Sequence, residues 1–487
     1  MTLRRLEHLL FPLLAVGVAA SSVLLAYRTE ALVPIVALAV MSAVALALVR
    51  PMAGLYLSIA LAPLELFALK VGASGGASGQ GLGLSPPEAM LIVTGGAWAM
   101  RRLADGKLPL VDSPLNKPFI LLLLAIVPGL AFASEPILVA KVLVIWTFLF
   151  LVFQLVLDEA DNRTVRRLLL MLALSGAVVG LIATIRTGGG TQLSLLAGGA
   201  TAEGRAEGSF GHPNTLATFE GLTLPGALAL ALQGRGRTRP LAAAAFLLCL
   251  SGLTLSLSRG GLLAVAGALG VMALWPPFRR VVLIVAIVVV PIAVAGASPL
   301  GDVRLVDTVT ERLTSVESSA QANPRLEIWA KTPALIADYP VFGVGSGQFS
   351  EVAPRYGIVG TLQEGTFEHA HNIPLTITAE LGLVGLGALC WLIVALVGVV
   401  IRGYRRDDPS TRGLALAIGA ALFALFLQGL VDYTLRLNLI VATVAVLAGC
   451  AVVLSRPSAR EARKEPDEDS GRSRGAAVPA YAAAASR

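Results

Sequence analysis

Two of the chain's four histidines stand just ahead of prolines: His212 before Pro213, and His371 before Asn372-Ile373-Pro374. Proline favours the first turn of a helix, where free N–H groups point outward and attract anions, so both histidines are expected at helix entrances. An imidazole in such a place either caps the helix or takes a proton from an alcohol near neutral pH. His212 reads first as a cap. His371, which ends a long loop directly above an apolar run, is the better base. Three arginines share the same outer side: Arg205, Arg325, and Arg259 in Ser256-Leu257-Ser258-Arg259-Gly260-Gly261. A lone Arg259 between two apolar runs would serve as a headgroup anchor. Three guanidinium forks together suit the several oxygens of a diphosphate.

Other polar residues fill supporting places. Asn214 follows His212-Pro213, and Asn372 follows His371. Asp432 and Arg436 are spaced i and i+4, which reads as an ion pair at an outer helix end. Glu380 lies nine residues after His371, on the opposite face of one helix, and so is not its direct partner. Gly382 and Gly385 read as a smooth surface for close helix packing. Gly343-Val344-Gly345-Ser346-Gly347 has no following Lys-Ser/Thr and is not a nucleotide loop, though it must turn tightly. No metal site is expected, because there are only four histidines, one of them at position 8, and the outer loops hold no clustered pair of aspartates.

These residues need a scaffold, and composition defines it. The 487 residues are 56% hydrophobic and 14% charged, with a mean hydropathy of +0.78. That excludes a disordered or ordinary soluble protein and predicts an all-α polytopic membrane protein. Three cysteines, Cys249, Cys390 and Cys450, lie in apolar runs and make no disulfide framework. A ruler of ~20 apolar residues per span gives candidate spans near 9–27, 31–49, 53–70, 86–100, 118–133, 136–157, 168–185, 213–233, 240–257, 260–275, 281–297, 372–401, 413–430 and 437–455. Adjacent short runs make twelve to fourteen the expected number. The first run is too long for a signal peptide's apolar region.

With the N-terminus inside, the inner segments hold 26 of the 38 Lys and Arg residues, so the charge bias predicts N-in and C-in. Residues 1–297 are then N-terminal membrane helices, 298–371 a large extracytoplasmic loop, 372–455 C-terminal helices, and 456–487 a disordered cytoplasmic tail. The loop's composition is that of a folded segment: Val306–Val316 has amphipathic spacing and Pro324–Ala337 opens like a helix. Loop 186–212 is Gly-rich, and the two loops are expected to cover one external cavity. Arg205, His212, Glu220, Arg259, Arg325, His369, His371, Asp432, Arg436, Glu65 and Lys141 all fall at the outer side. Charges in or near a bilayer are costly and ask for a purpose.

The motifs resemble a known family. His371-Asn372, nine residues, Gly382, two residues and Gly385 resemble the signature that ends the large periplasmic loop of the O-antigen ligase and polymerase superfamily. Gly-Ser-Phe-Gly-His-Pro-Asn at 208–214, Ser-Arg-Gly-Gly at 258–261, Pro-Arg-Leu-Glu-Ile-Trp at 324–329 and Phe-Gly-Val-Gly-Ser-Gly-Gln-Phe at 342–349 follow in the family's order. The resemblance spans about 200–390. It implies a GT-C-like membrane glycosyltransferase in a bacterial cytoplasmic membrane, metal-independent and inverting, with its site facing the periplasm and no cofactor. The implied donor is a glycan on undecaprenyl diphosphate, held by Arg205 and Arg259, with Arg325 as a third. The implied acceptor is lipid A core, or another glycan or a protein, with His371 acting on its hydroxyl. Membrane lipids are the remaining partners, and nucleic acid is not one. A small-anion transporter is the rival class; it would place charges near the midplane and show paired repeats, whereas here charges crowd the outer end and the halves show no repeat.

Overall fold

The computed structural model describes residues 32–65, 69–71, 82–187, 205–283, 324–359 and 369–457. The predicted runs at 9–27, 306–316 and 456–487 lie wholly or almost wholly outside them, as do most of 281–297 and most of the Gly-rich loop. Among the described residues the chain is built of helices: α1 (Leu32–Val49), α2 (Pro51–Leu61), α3 (Pro86–Ala104), α4 (Asn116–Ile126), α5 (Gly129–Phe132), α6 (Pro136–Glu159), α7 (Asn162–Thr187), α8 (Pro213–Gln233), α9 (Thr238–Leu255), α10 (Arg259–Ala273), α11 (Pro324–Asp338), α12 (Phe349–Val352), α13 (Ile373–Tyr404), α14 (Pro409–Gly429) and α15 (Asn438–Ser455). A two-stranded antiparallel ladder, β1 (Leu69–Val71) with β2 (Leu82–Leu84), joins α2 to α3.

Proline sets many of the entrances. Pro51, Pro86, Pro136, Pro213, Pro324 and Pro409 each open a helix, where a missing N–H costs nothing. At α3, Ser85 and Glu88 form a reciprocal capping box, the Ser85 N–H donating to Glu88 at 2.9 Å.

Seven of these helices, α6, α7, α8, α9, α13, α14 and α15, are long and apolar enough to cross a membrane, and the segments at 40–49, 51–64, 116–132 and 259–273 are shorter apolar helices. The chain is an all-α polytopic membrane protein. Its centre is α8, which packs on α7, α9 and α14. In its most apolar stretch 89% of residues are buried, against 17% for α13. That contrast makes α8 the pillar of the bundle and leaves most of α13 to face lipid.

The polar residues sort to two ends. At one, arginines bond the closing turns of neighbouring helices: Arg101 to the Val49 carbonyl, Arg102 to Asp158 at 2.7 Å, Arg456 to the Leu157 carbonyl at 2.7 Å, and Arg406 to the Ser455 carbonyl at 2.9 Å. At the other end lie the openings of α8, α10 and α13. Glu220 belongs to neither end, contrary to expectation. It sits seven residues inside α8, fully buried, where Gly176, Gly180 and Gly252 leave room for its carboxyl and Thr223 donates to it at 3.4 Å.

Candidate active site

His212 is the N-cap of α8. Its Nδ1 accepts from the Asn214 N–H at 3.2 Å, so that nitrogen is used up by the helix. The buried Asn214 side chain becomes a hub. Its Oδ1 accepts from Ser258 Oγ at 2.9 Å and from Arg205 Nη2 at 3.2 Å, and its Nδ2 donates to Asp432 Oδ2 at 2.6 Å. Gln428 of α14 donates to the Asn214 carbonyl at 3.0 Å. Arg205 is anchored further by the Ser256 carbonyl at 3.1 Å.

Ser258 caps α10, accepting from the Gly261 N–H at 3.2 Å. Arg259 is therefore the first residue of that helix, and its side chain is exposed. The two residues of positive φ other than glycine among the described residues are Leu257, at 48°, and His371, at 50°. Each precedes the N-cap of a helix at this site, and left-handed backbone at non-glycine residues is kept only where surroundings enforce it.

The sequence places His371 at a helix entrance, but the cap itself is Asn372, whose Oδ1 accepts from the Leu375 N–H at 2.8 Å while its Nδ2 holds the Leu430 carbonyl at 2.8 Å. His371 is thereby released from capping the helix. Its Nδ1 lies 3.1 Å from Asp432 Oδ1. An ionised carboxylate only accepts, so Nδ1 carries the proton and Nε2 holds the lone pair. The His371 side chain is 23% exposed and Asp432 only 6%: the imidazole is reachable and its carboxylate partner is sealed. Burial pushes the Asp432 carboxyl up, but the His371 hydrogen bond, the Arg325 charge and the Tyr433 N–H outweigh it and hold the group well below the usual range.

Asp432 and Arg436 do not share an α-helix. α14 ends at Gly429, residues 430–431 turn, 432–433 are irregular, and Arg436 closes a short 3-10 turn, Thr434–Arg436. The i,i+4 register on which the ion pair was expected is absent, and the Asp432 carboxylate is held by His371, Asn214 and the Tyr433 backbone. The positive charges of Arg436 and Arg205 reach His212, whose imidazole is lowered first by burial.

Gly382 also departs from expectation. Its φ of 65° and ψ of −165° break α13, and this combination is essentially glycine-only. An unbroken helix would bond the Leu383 N–H to the Ala379 carbonyl and the Val384 N–H to the Glu380 carbonyl. Instead the 340–345 segment enters the ladder. Leu383 and Val384 donate to the Pro340 and Val341 carbonyls at 2.8 and 3.3 Å, while Val344 and Gly345 donate to the Ala379 and Glu380 carbonyls at 2.9 Å each. Gly343, at φ 66°, turns the segment back. Below the break 383–404 alone, at ~33 Å, is long enough to span a bilayer. Glu380 adds a side-chain tie by accepting from the Gly347 and Phe349 N–H groups. Gly385 lies under its own helix's Leu381 side chain.

The structure therefore brings together Arg205, His212, Asn214, Arg325, His371, Asn372, Asp432 and Arg436, with Arg259 beside them through Ser258. Gly382 and Gly385 stand apart and position the loop. Sequence reasoning passed over Ser258, Gln428 and Tyr433 and gave His369 no role. The His-x-His spacing of 369 and 371 was the available signal. His369, His371 and Asp432 also offer three ligand atoms within 4.8 Å of one another, a set that could hold a metal ion. Along the chain Asp432 is 61 residues from His371, which hid that cluster.

A family model described as O-Antigen ligase matches residues 244–390. The match covers Arg259, Arg325, His371, Glu380, Gly382 and Gly385, and stops short of Arg205, His212 and Asp432. No curated protein matches the chain. Over residues 244–390 the chain is similar to the O-antigen ligase family, and its long apolar helices make it a polytopic membrane protein.

Proposed function

We propose that the protein transfers a glycan from a lipid diphosphate to an acceptor hydroxyl at the outer leaflet, as an O-antigen ligase acting on lipid A core. The observation that carries this is the hydrogen bond between His371 Nδ1 and the buried Asp432, which orients the imidazole to act as a base. His371 Nε2 takes the hydroxyl proton as the acceptor oxygen attacks the anomeric carbon. The anomeric carbon–oxygen bond to phosphate breaks, and the diphosphate leaves with the electron pair, opposite the incoming oxygen, so the centre inverts. Arg205, Arg259 and Arg325 stabilise the departing charge, and Asp432 stabilises the imidazolium until its proton passes to water. The arginines supply the cationic stabilisation, so this scheme is metal-independent.

The test is to incubate purified protein with a lipid-diphosphate oligosaccharide and lipid A core in EDTA and identify the products. Transfer to the core supports the ligase reading. Lengthening of the lipid-linked glycan replaces it with a polymerase, transfer to protein with a protein glycosyltransferase, and no product in EDTA with recovery on added zinc overturns the metal-independent scheme.

The proposed orientation places both termini in the cytoplasm and residues 298–371 in the periplasm. It is supported by the arginine-rich helix ends gathered opposite the site. In a cysteine-free background, a cysteine replacing the exposed Arg355 should label with an impermeant thiol reagent from outside, and one replacing Ser410 should not. The reverse pattern inverts the orientation.

A further inference from the structure

We propose that His369 is a positioning residue that locks His371 in its working backbone conformation; the inference rests on His371 being the base. The left-handed φ of 50° at His371 is unfavourable for a residue with a Cβ, so something must hold it. The His371 N–H donates to His369 Nδ1 at 3.2 Å, and this bond closes the turn. The rest of the segment is pinned as well. The Ala370 N–H donates to Thr376 Oγ1 at 3.2 Å, and the Ala370 carbonyl accepts from Trp329 Nε1 at 2.9 Å. Trp329 belongs to α11, so one short turn is fastened both to the loop domain and to α13.

The His369 ring is itself wedged. It is buried at 7% exposure, meets the His371 ring edge-on with centroids 4.4 Å apart, and lies 5.3 Å from the Tyr433 ring. Burial, then the neighbouring His371, push its imidazole down to about 3. A neutral ring whose Nδ1 accepts must carry its proton on Nε2. His369 and Asp432 divide the labour: one fixes the backbone of the base from its N–H, the other fixes its ring from Nδ1.

Two substitutions separate acceptor from ring. His369→Asn keeps an oxygen near the Nδ1 position, and His369→Phe keeps the ring without an acceptor. With both variants monodisperse in detergent, His369→Phe should lose roughly 10- to 100-fold in kcat with KM for the donor unchanged, the size expected when a reacting group is misplaced by about 1 Å. His369→Asn should stay within about 3-fold of the parent enzyme, because its side chain can still accept. Hydrogen exchange at the His371 amide should quicken in His369→Phe alone. Parental kcat in His369→Phe, or equal loss in both variants, overturns the proposal. His371→Ala, assayed in parallel, keeps the two ideas apart. If it is active, the base assignment fails, whereas an inactive His371→Ala beside a fully active His369→Phe sinks only the positioning role. If His369→Phe does not fold, the His369→Asn result decides, and a folded but inactive His369→Asn overturns the proposal.

Discussion

The entrances of α8 and α13 look alike in sequence and do different work. Each has a histidine, a proline within three residues and an asparagine close by. At α8 the histidine is the N-cap, and its Nδ1 is consumed by the helix. At α13 the asparagine takes the cap, and the histidine stands one residue further out, with Nδ1 turned to Asp432. The offset of one residue decides which Nδ1 is committed to a backbone N–H and which to a carboxylate, and under the proposed function only the second ring serves as a base.

Exchange of roles is the sharpest way to break that comparison. His371→Ala should lower transfer by ~10²–10⁴-fold with expression intact. His212→Ala should instead cost about 1 kcal/mol of stability, as loss of a cap does, and leave most of the activity. A single assay of both variants, with thermal melts alongside, checks this; a dead His212→Ala beside an active His371→Ala would reverse the assignment.

Asp432 ties the two entrances together, since it holds Asn214 of one and His371 of the other. Asp432→Asn should cost roughly 10²-fold in kcat, and combining it with His371→Ala should add almost nothing, because residues acting as a unit are not additive. A double-mutant cycle measures this. Full additivity would mean that Asp432 works through the arginines instead.

The break in α13 predicts a contrast between two glycines. A Cβ at Gly382 would collide with the Val341 carbonyl in a backbone conformation that only glycine holds easily, whereas one at Gly387 meets nothing within 4 Å. Gly382→Ala should destabilise the protein by ~3 kcal/mol or more, and Gly387→Ala should stay within ~0.5 kcal/mol. Thermal unfolding in detergent distinguishes them.

The smallest effect concerns acidity. His369 titrates at about 3 in the folded protein and near ~6.5 in an unfolded chain. Between those values the unfolded chain binds the extra proton, so stability falls as pH drops below about 6.5, by at most ~1.4 kcal/mol per pH unit for this histidine. His212 shifts in the same direction. Asp432 has a lowered carboxyl, so its contribution is intact above about pH 4 and is lost only below that. Melting temperatures between about pH 5 and 7 should therefore track the histidines, and His369→Asn should flatten the slope.

Much of this architecture was legible in advance. Apolar runs and their prolines located the described helices, because burial in lipid forces continuous hydrophobic segments whatever the tertiary contacts. His212, His371 and the arginines stood out because polar residues at span ends need reasons. What escaped depends on contacts far apart in the chain. Nothing local says that Asp432 turns to His371, or that Gly382 breaks a helix rather than smoothing it, since a glycine in an apolar run looks the same in both cases. The bond of Glu380 to the 347–349 turn is likewise invisible without the break.

The four hydrogen bonds that admit residues 340–345 into α13 are all main-chain to main-chain. Such a joint reads no side-chain identity except where glycine is required. Side chains facing away from the joint can therefore change without disturbing it, as one would refit the jaw of a wrench without touching its handle. Under the proposed function, His371 then keeps its address while the surface offered to an acceptor changes, and acceptor preference becomes a property to be grafted rather than redesigned.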